Sequence, residues 1–115
     1  MLIVDPHASF RSACKALFQT EGLTVVADLD RCEGAEDVAT ALRPDVALID
    51  VSPQQTEGLE LVRRLSALAQ PPAIVLMSAT PADAILATAA GADLFLAKAG
   101  ISAGAIAQAA RKACS

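Results

Sequence analysis

The chain has 115 residues, of which 54% are hydrophobic and 19% charged, and its net charge at pH 7 is -4. That length suits one domain, expected to span residues 1–115, with a single core, and the composition argues against disorder. An acidic balance without a Lys/Arg run argues against direct nucleic-acid binding, which needs clustered cations to neutralise phosphates.

The first apolar run, Leu2-Ile3-Val4, is followed by Phe10, Cys14, Leu17 and Phe18 at the i, i+4, i+7, i+8 spacing of a helix, with Gly22 placed to stop it. A second run, Thr24 to Ala27, precedes a helical pattern from about Ala35 to Leu42, ended by Arg43-Pro44. Val46 to Ile49 form the third run, and Leu61, Leu65, Leu68 and Ala69 share one helical face after it. Ala73 to Met77 form the fourth. Thr80-Pro81 then suits a capped helix start and Gly91 its end. Leu94 to Ala97 make the fifth run, after which Ser102 is placed to cap a last helix with Ile106, Ala109, Ala110 and Ala113 inward.

None of the runs alternates with polar residues, so both faces should be covered, as in a parallel sheet. Strand and helix alternate five times, and right-handed crossovers then put helices on both sides. The expected fold is α/β, a doubly wound five-stranded parallel sheet in the flavodoxin-like order 2-1-3-4-5.

Ligands of such sheets bind beyond the carboxyl ends of the strands. Asp5 follows the first run, Asp50 the third, Ser78 the fourth and Lys98 the fifth. The strand order puts Asp50 centrally, with Asp5 and Ser78 on either side and Lys98 reaching in from the edge. Such a group suits phosphoryl transfer to a carboxylate. Asp50 would be the nucleophile, Ser78 and Lys98 would take phosphoryl oxygens, and Mg²⁺ on the carboxylates would neutralise charge.

The segments Leu2-Ile3-Val4-Asp5, Arg43 through Val51, Glu57-Gly58-Leu59-Glu60-Leu61, Ile74 through Ala79 and Ala90 through Lys98 resemble the motifs of bacterial response-regulator receiver domains, in order and over essentially the whole chain. Val4-Asp5-Pro6-His7 and the region near Arg43 look nearest to receivers that precede helix-turn-helix output domains. The resemblance implies a non-enzymatic module of two-component phosphorelay signalling, phosphorylated by a histidine kinase, with Asp50 as acceptor. By position, Ser78 matches the switch hydroxyl, Lys98 the family lysine and Asp5 the first acid of an acidic pair. Ser52 matches the residue whose backbone carbonyl binds the metal, and Phe95 the switch aromatic. It further implies an output or homodimer surface made by the fourth helix, the fifth strand and the fifth helix (the family's α4-β5-α5 face). A DNA-binding output domain would belong to a longer chain or a partner.

Several departures stand out. Pro6 occupies the place of the second acid, so Mg²⁺ binding should be weak and phosphorylation slow or absent. Pro53 comes one position early, which puts the Ser52 carbonyl in doubt. Ala99 stands where many relatives have proline, and a cis bond before alanine would cost about 2.5–4 kcal/mol, so Lys98-Ala99 is expected to be trans.

Plainer readings stand beside these. Asp5-Pro6 is also the signature of a helix N-cap followed by proline at the first helical position. Lys98 alone is an exposed cation, and Phe95 alone is half-buried packing. His7, the one histidine, is expected near the site without a ligand role. Cys14 reads as core, and three scattered cysteines (with Cys32 and Cys114) as reduced thiols of a cytoplasmic protein. No charged-then-apolar leader and no run of transmembrane length is seen, so no membrane role is expected. Small residues such as Ala84, Ala87, Ala103 and Ala107 suggest flat partner-binding surfaces, although alanine is also simply the best helix former. Two alternatives to the phosphoacceptor remain: a pseudo-receiver, favoured by Pro6, and a flavodoxin-like cofactor binder. Against the second stand a first loop without glycine and the absence of Trp and Tyr.

Overall fold

The computed structural model describes residues 1–51, 56–78, 91–97 and 103–114. In chain order these form β1 (Leu2–Val4), α1 (Ala8–Thr20), β2 (Ala27–Leu29), α2 (Ala35–Leu42), β3 (Val46–Asp50), α3 (Glu57–Ser66), β4 (Ala73–Ser78), β5 (Leu94–Ala97) and α4 (Ala103–Cys114). The helix expected from Thr80-Pro81 lies outside the described residues, so α4 answers to the fifth helical pattern. The five strands form one parallel sheet in the order β2-β1-β3-β4-β5, as the alternation of runs and helices predicts.

Successive strand residues point to opposite faces, and each face carries its own core. Leu2, Val4, Ala47, Ile49, Ile74 and Leu76 face Ala35 and Ala39 of α2 and Leu61, Val62 and Leu65 of α3. Ile3, Val46, Leu48, Val75 and Met77 face Cys14 and Phe18 of α1 and Ala107 and Ala109 of α4. Each fully buried Leu, Ile or Phe side chain contributes about 1.5–3 kcal/mol relative to exposure, so this two-sided burial is what holds the sheet between its helices.

Local chemistry sets the helix ends. Arg43 closes α2 in the left-handed region at φ 49°, its amide donating to the Ala39 carbonyl at 2.9 Å, and Pro44 keeps the helix from continuing past it. Gly22 takes φ 77° after α1, where only glycine avoids strain. Helix α3 carries Glu57 and Glu60 in its first turn and Arg63 and Arg64 in its last, an order that complements its dipole.

Four expectations are corrected. The second strand is Ala27–Leu29 rather than Thr24 to Ala27, leaving Val26 41% exposed. Its register against β1 pairs Leu2 with Ala27 and Val4 with Leu29, and Asp28 inside it hides the strand from an apolar-run search. Asp5 does not cap α1: the helix begins at Ala8, two residues beyond Pro6, with His7 at its N-cap. Ala107, expected on a partner-binding surface, is 1% exposed and packs on the sheet. Ala69, expected on the inner face of the third helix, is exposed beyond that helix's end, while Val62 is buried in its place. Ala84, Ala87 and the Lys98-Ala99 bond lie outside the described residues. No described helix is long and apolar enough to cross a membrane.

Candidate functional site

Three of the expected site residues close adjacent strands at the carboxyl edge of the sheet. Val4 is in register with Ile49, so Asp5 and Asp50 stand one residue beyond a paired step. Asp50 itself pairs with Met77, the residue before Ser78, and the Val51 amide continues that ladder by donating to the Met77 carbonyl at 2.8 Å. Ser78 is in register with Ala97, which ends β5. Ser52 and Lys98 lie outside the described residues.

The two aspartates have different surroundings. Asp5 is fully buried, and Asp50 is half-buried beside a cleft of about 470 Å³ that Pro6, Cys32, Glu57 and Gly58 also line. Asp5 is held on both sides of its Cα. Its amide donates to the Leu29 carbonyl at 2.9 Å, and its carbonyl accepts from Arg11 Nη1 at 2.6 Å. Its Oδ1 accepts the His7 amide at 2.8 Å, an Asx turn across Pro6. The same Oδ1 lies 2.9 Å from His7 Nδ1. Ser78 is also fully buried, and Phe95 is half-buried against the core on the α2–α3 side.

Arg11 extends this support to the sheet edge. Its Nε donates to Asp28 Oδ2 at 3.2 Å, and Lys15 Nζ lies 3.2 Å from the same oxygen. The loop after β1 is thereby tied to β2 through one guanidinium.

Charge around the cleft is mixed. Arg31 bonds Asp30 through two nitrogens, at 3.0 and 3.3 Å, which holds the Asp30 carboxyl below its usual range and raises the Arg31 guanidinium. Burial pushes the Cys32 thiol up, and the negative charges of Glu57 and Asp50 push it further. Both effects favour the protonated, less nucleophilic thiol.

Among the described residues, Asp5, His7 and Asp50 each offer a ligand atom within 4.8 Å of the other two. Two carboxylates fit a divalent cation, and Pro6, between Asp5 and His7 in the chain, brings no ligand atom of its own. Sequence reasoning gives His7 no ligand role and leaves out Arg11 and Asp28. Asp28 directly follows the expected second run but is the middle residue of β2, so a search of strand ends would reach it at the wrong place. His7 gives no signal, because its approach to Asp5 depends on the turn through Pro6.

Comparison with known proteins agrees with this geometry. Residues 1–111 match the family model of the response regulator receiver domain. The signal receiver domain of NarL from Mycobacterium tuberculosis superposes with a TM-score of 0.87 at 27% identity, covering 98% of this chain and 93% of that one. The response regulator domain of CheB from Thermotoga maritima gives 0.84 at 25% identity, over 98% and 93%. The transcriptional regulatory protein CseB of Streptomyces avermitilis is 33% identical over 99 residues, 85% of this chain. The chain spans 42% of the length of CseB and 33% of a regulator from Pseudomonas aeruginosa that it also matches.

Proposed function

Since the chain belongs to the response regulator receiver domain family, we propose that Asp50 is its phosphoryl acceptor and that Ser78 and Lys98 hold the transferred group. The family is a signalling family, phosphorylated by histidine kinases, rather than one of classical enzymes. The observation that carries the reading is the pairing at the carboxyl edge: a half-buried Asp50 beside a cleft, next to a buried Asp5 on one strand and a buried Ser78 on the other.

Each residue has a chemical task. An Asp50 carboxylate oxygen attacks the phosphorus of a kinase phosphohistidine; the P–O bond forms as the P–N bond breaks, and the imidazole leaves. The Ser78 hydroxyl and the Lys98 ammonium take phosphoryl oxygens and are drawn inward by about 1.5 to 2 added negative charges. Phe95 follows that movement and passes it to the edge strand β5 and its flanking helices, the surface for output or for a homodimer. Asp5, Asp50 and the Ser52 carbonyl would hold a divalent cation, which supplies neutralisation of the charge that develops during transfer.

Pro6 supports a second reading, a pseudo-receiver that keeps the fold while responding to a partner rather than to phosphate. The short span of this chain against CseB supports an output domain elsewhere in a longer protein.

The test is treatment with acetyl phosphate and Mg²⁺, followed by intact-mass measurement. The proposal expects a single phosphoryl adduct, lost in Asp50→Asn and formed more slowly than in Pro6→Asp. No adduct in either the natural chain or Pro6→Asp would overturn the acceptor role; an adduct in Pro6→Asp alone would favour the pseudo-receiver.

A further inference from the structure

We infer that His7 is the third side-chain ligand of the cation site, so that this receiver prefers a divalent transition metal that takes imidazole nitrogen, such as Zn²⁺ or Co²⁺, over Mg²⁺. The inference deepens the reading above, on which it rests for the pairing of Asp5 with Asp50.

Geometry is the first support. Donor atoms bound about 2.0–2.2 Å from one ion stand about 3–4 Å from each other. Ligand atoms of Asp5, His7 and Asp50 all fall within 4.8 Å of one another, and the 2.9 Å between His7 Nδ1 and Asp5 Oδ1 is a hydrogen bond whose proton an ion would replace. One ion can therefore draw all three with small side-chain movements. The loop is also built to keep the ring there: the His7 amide donates to Asp5 Oδ1, and Arg11 holds the Asp5 carbonyl at 2.6 Å.

Donor chemistry is the second. A proline at position 6 removes a carboxylate, and with it one negative charge and a hard oxygen. Mg²⁺ dehydrates reluctantly and depends on such oxygens, whereas neutral imidazole suits Zn²⁺ and its first-row neighbours. The exchange of one carboxylate for one imidazole moves the site from the first class of ion toward the second. The His7 side chain is 65% exposed, so its nitrogen is reachable, while Asp5 beneath it is fully buried and fixed.

The chain has a single histidine, so its imidazole nitrogen resonances report on His7 alone. The experiment titrates the whole 115-residue chain with Zn²⁺ and separately with Mg²⁺, without phosphodonor, by calorimetry and by ¹⁵N NMR of the ring. One equivalent of Zn²⁺ is expected to bind at least about tenfold tighter than Mg²⁺ and to shift one ring nitrogen to a metal-bound position. His7→Ala is expected to lose at least about tenfold in Zn²⁺ affinity and to change Mg²⁺ affinity by less than about twofold. Cys32→Ser with Cys114→Ser is expected to leave Zn²⁺ binding unchanged. A silent imidazole under bound Zn²⁺, tighter Mg²⁺ than Zn²⁺, or loss of Zn²⁺ binding with the thiols would each overturn the inference. Because the ring signal is read in the natural chain, a poorly folded His7 variant does not blunt the test. Phosphoryl uptake with a silent imidazole would sink this inference and spare the acceptor role, and a metal-bound imidazole without uptake would do the reverse.

Discussion

Asp5 and Asp50 end neighbouring parallel strands at the same level of the sheet, yet the fold treats them oppositely. Asp5 is fully buried, with its amide, its carbonyl and Oδ1 each in a hydrogen bond to the surrounding chain. Asp50 is half-buried at a cleft, and the residues packed under it shape where it stands. Burial and three bonds to its own chain fix where Asp5 stands, whereas Asp50 is reachable from the cleft. Residue type and level on the sheet are shared, so burial makes the difference.

The comparison breaks most readily through stability. Asp5→Ala strips the His7 amide of its acceptor and should cost about 1.5–3 kcal/mol, the usual value for a hydrogen bond to a charged group. Asp50→Asn should shift stability by less than about 1 kcal/mol, since it exchanges one polar group for another at a half-exposed place. Urea denaturation measures both, and a larger loss at Asp50 would reverse this order of structural weight.

A second change probes the support beneath Asp50. A Cβ on Gly58 would lie 2.7 Å from Val51 Cγ1 and 3.1 Å from the Asp50 carbonyl oxygen. The first turn of α3 would therefore press on the end of β3. Gly58→Ala should cost about 1–3 kcal/mol by overpacking and slow phosphoryl uptake at Asp50. Wild-type stability and uptake rate in this variant would show that α3 does not position the acceptor.

The smallest effect is electrostatic. The Cys32 thiol is raised first by burial and then by Glu57 and Asp50, so its thiolate appears only above the pH at which an ordinary cysteine ionises. Alkylation of Cys32, followed peptide by peptide in the mass spectrometer, should therefore have its pH midpoint above that of a free thiol. Removing the negative charge in Asp50→Asn should bring the midpoint down part of the way, because burial, the larger cause, stays. A midpoint that ignores Asp50→Asn would mean the charge of Asp50 does not reach into this part of the cleft.

Much of this architecture is written in local patterns. Four of the strands and the helix through Phe10, Cys14 and Phe18 are legible because each is a continuous apolar run or stripe, buried in β1, β3 and β4 and half-buried in β5. Strand β2 is legible only to within three residues, because edge strands need less burial and Asp28 sits within it, bonded to Arg11 and Lys15. Asp5, Asp50 and Ser78 can be found by looking for the polar residue that closes each run, since parallel strands all end on one side. His7 cannot be found that way: its ring reaches Asp5 through a turn whose geometry depends on Pro6 and on the Asp5 side chain together. Ala107 shows the opposite difficulty, because alanine suits a core and a surface equally well and only the rotation of α4 about its axis decides.

The place of β3 in the strand order has a consequence for the growing polypeptide. It lies between β1 and β4, and β4 begins only at Ala73. A nascent chain that has reached residue 72 can complete β2-β1-β3, but Val46 through Ile49 then form an open, wholly aliphatic border whose peptide groups seek any passing strand. Until the next segment emerges from the ribosome, this is the stretch that a chaperone would have to shield from neighbouring chains.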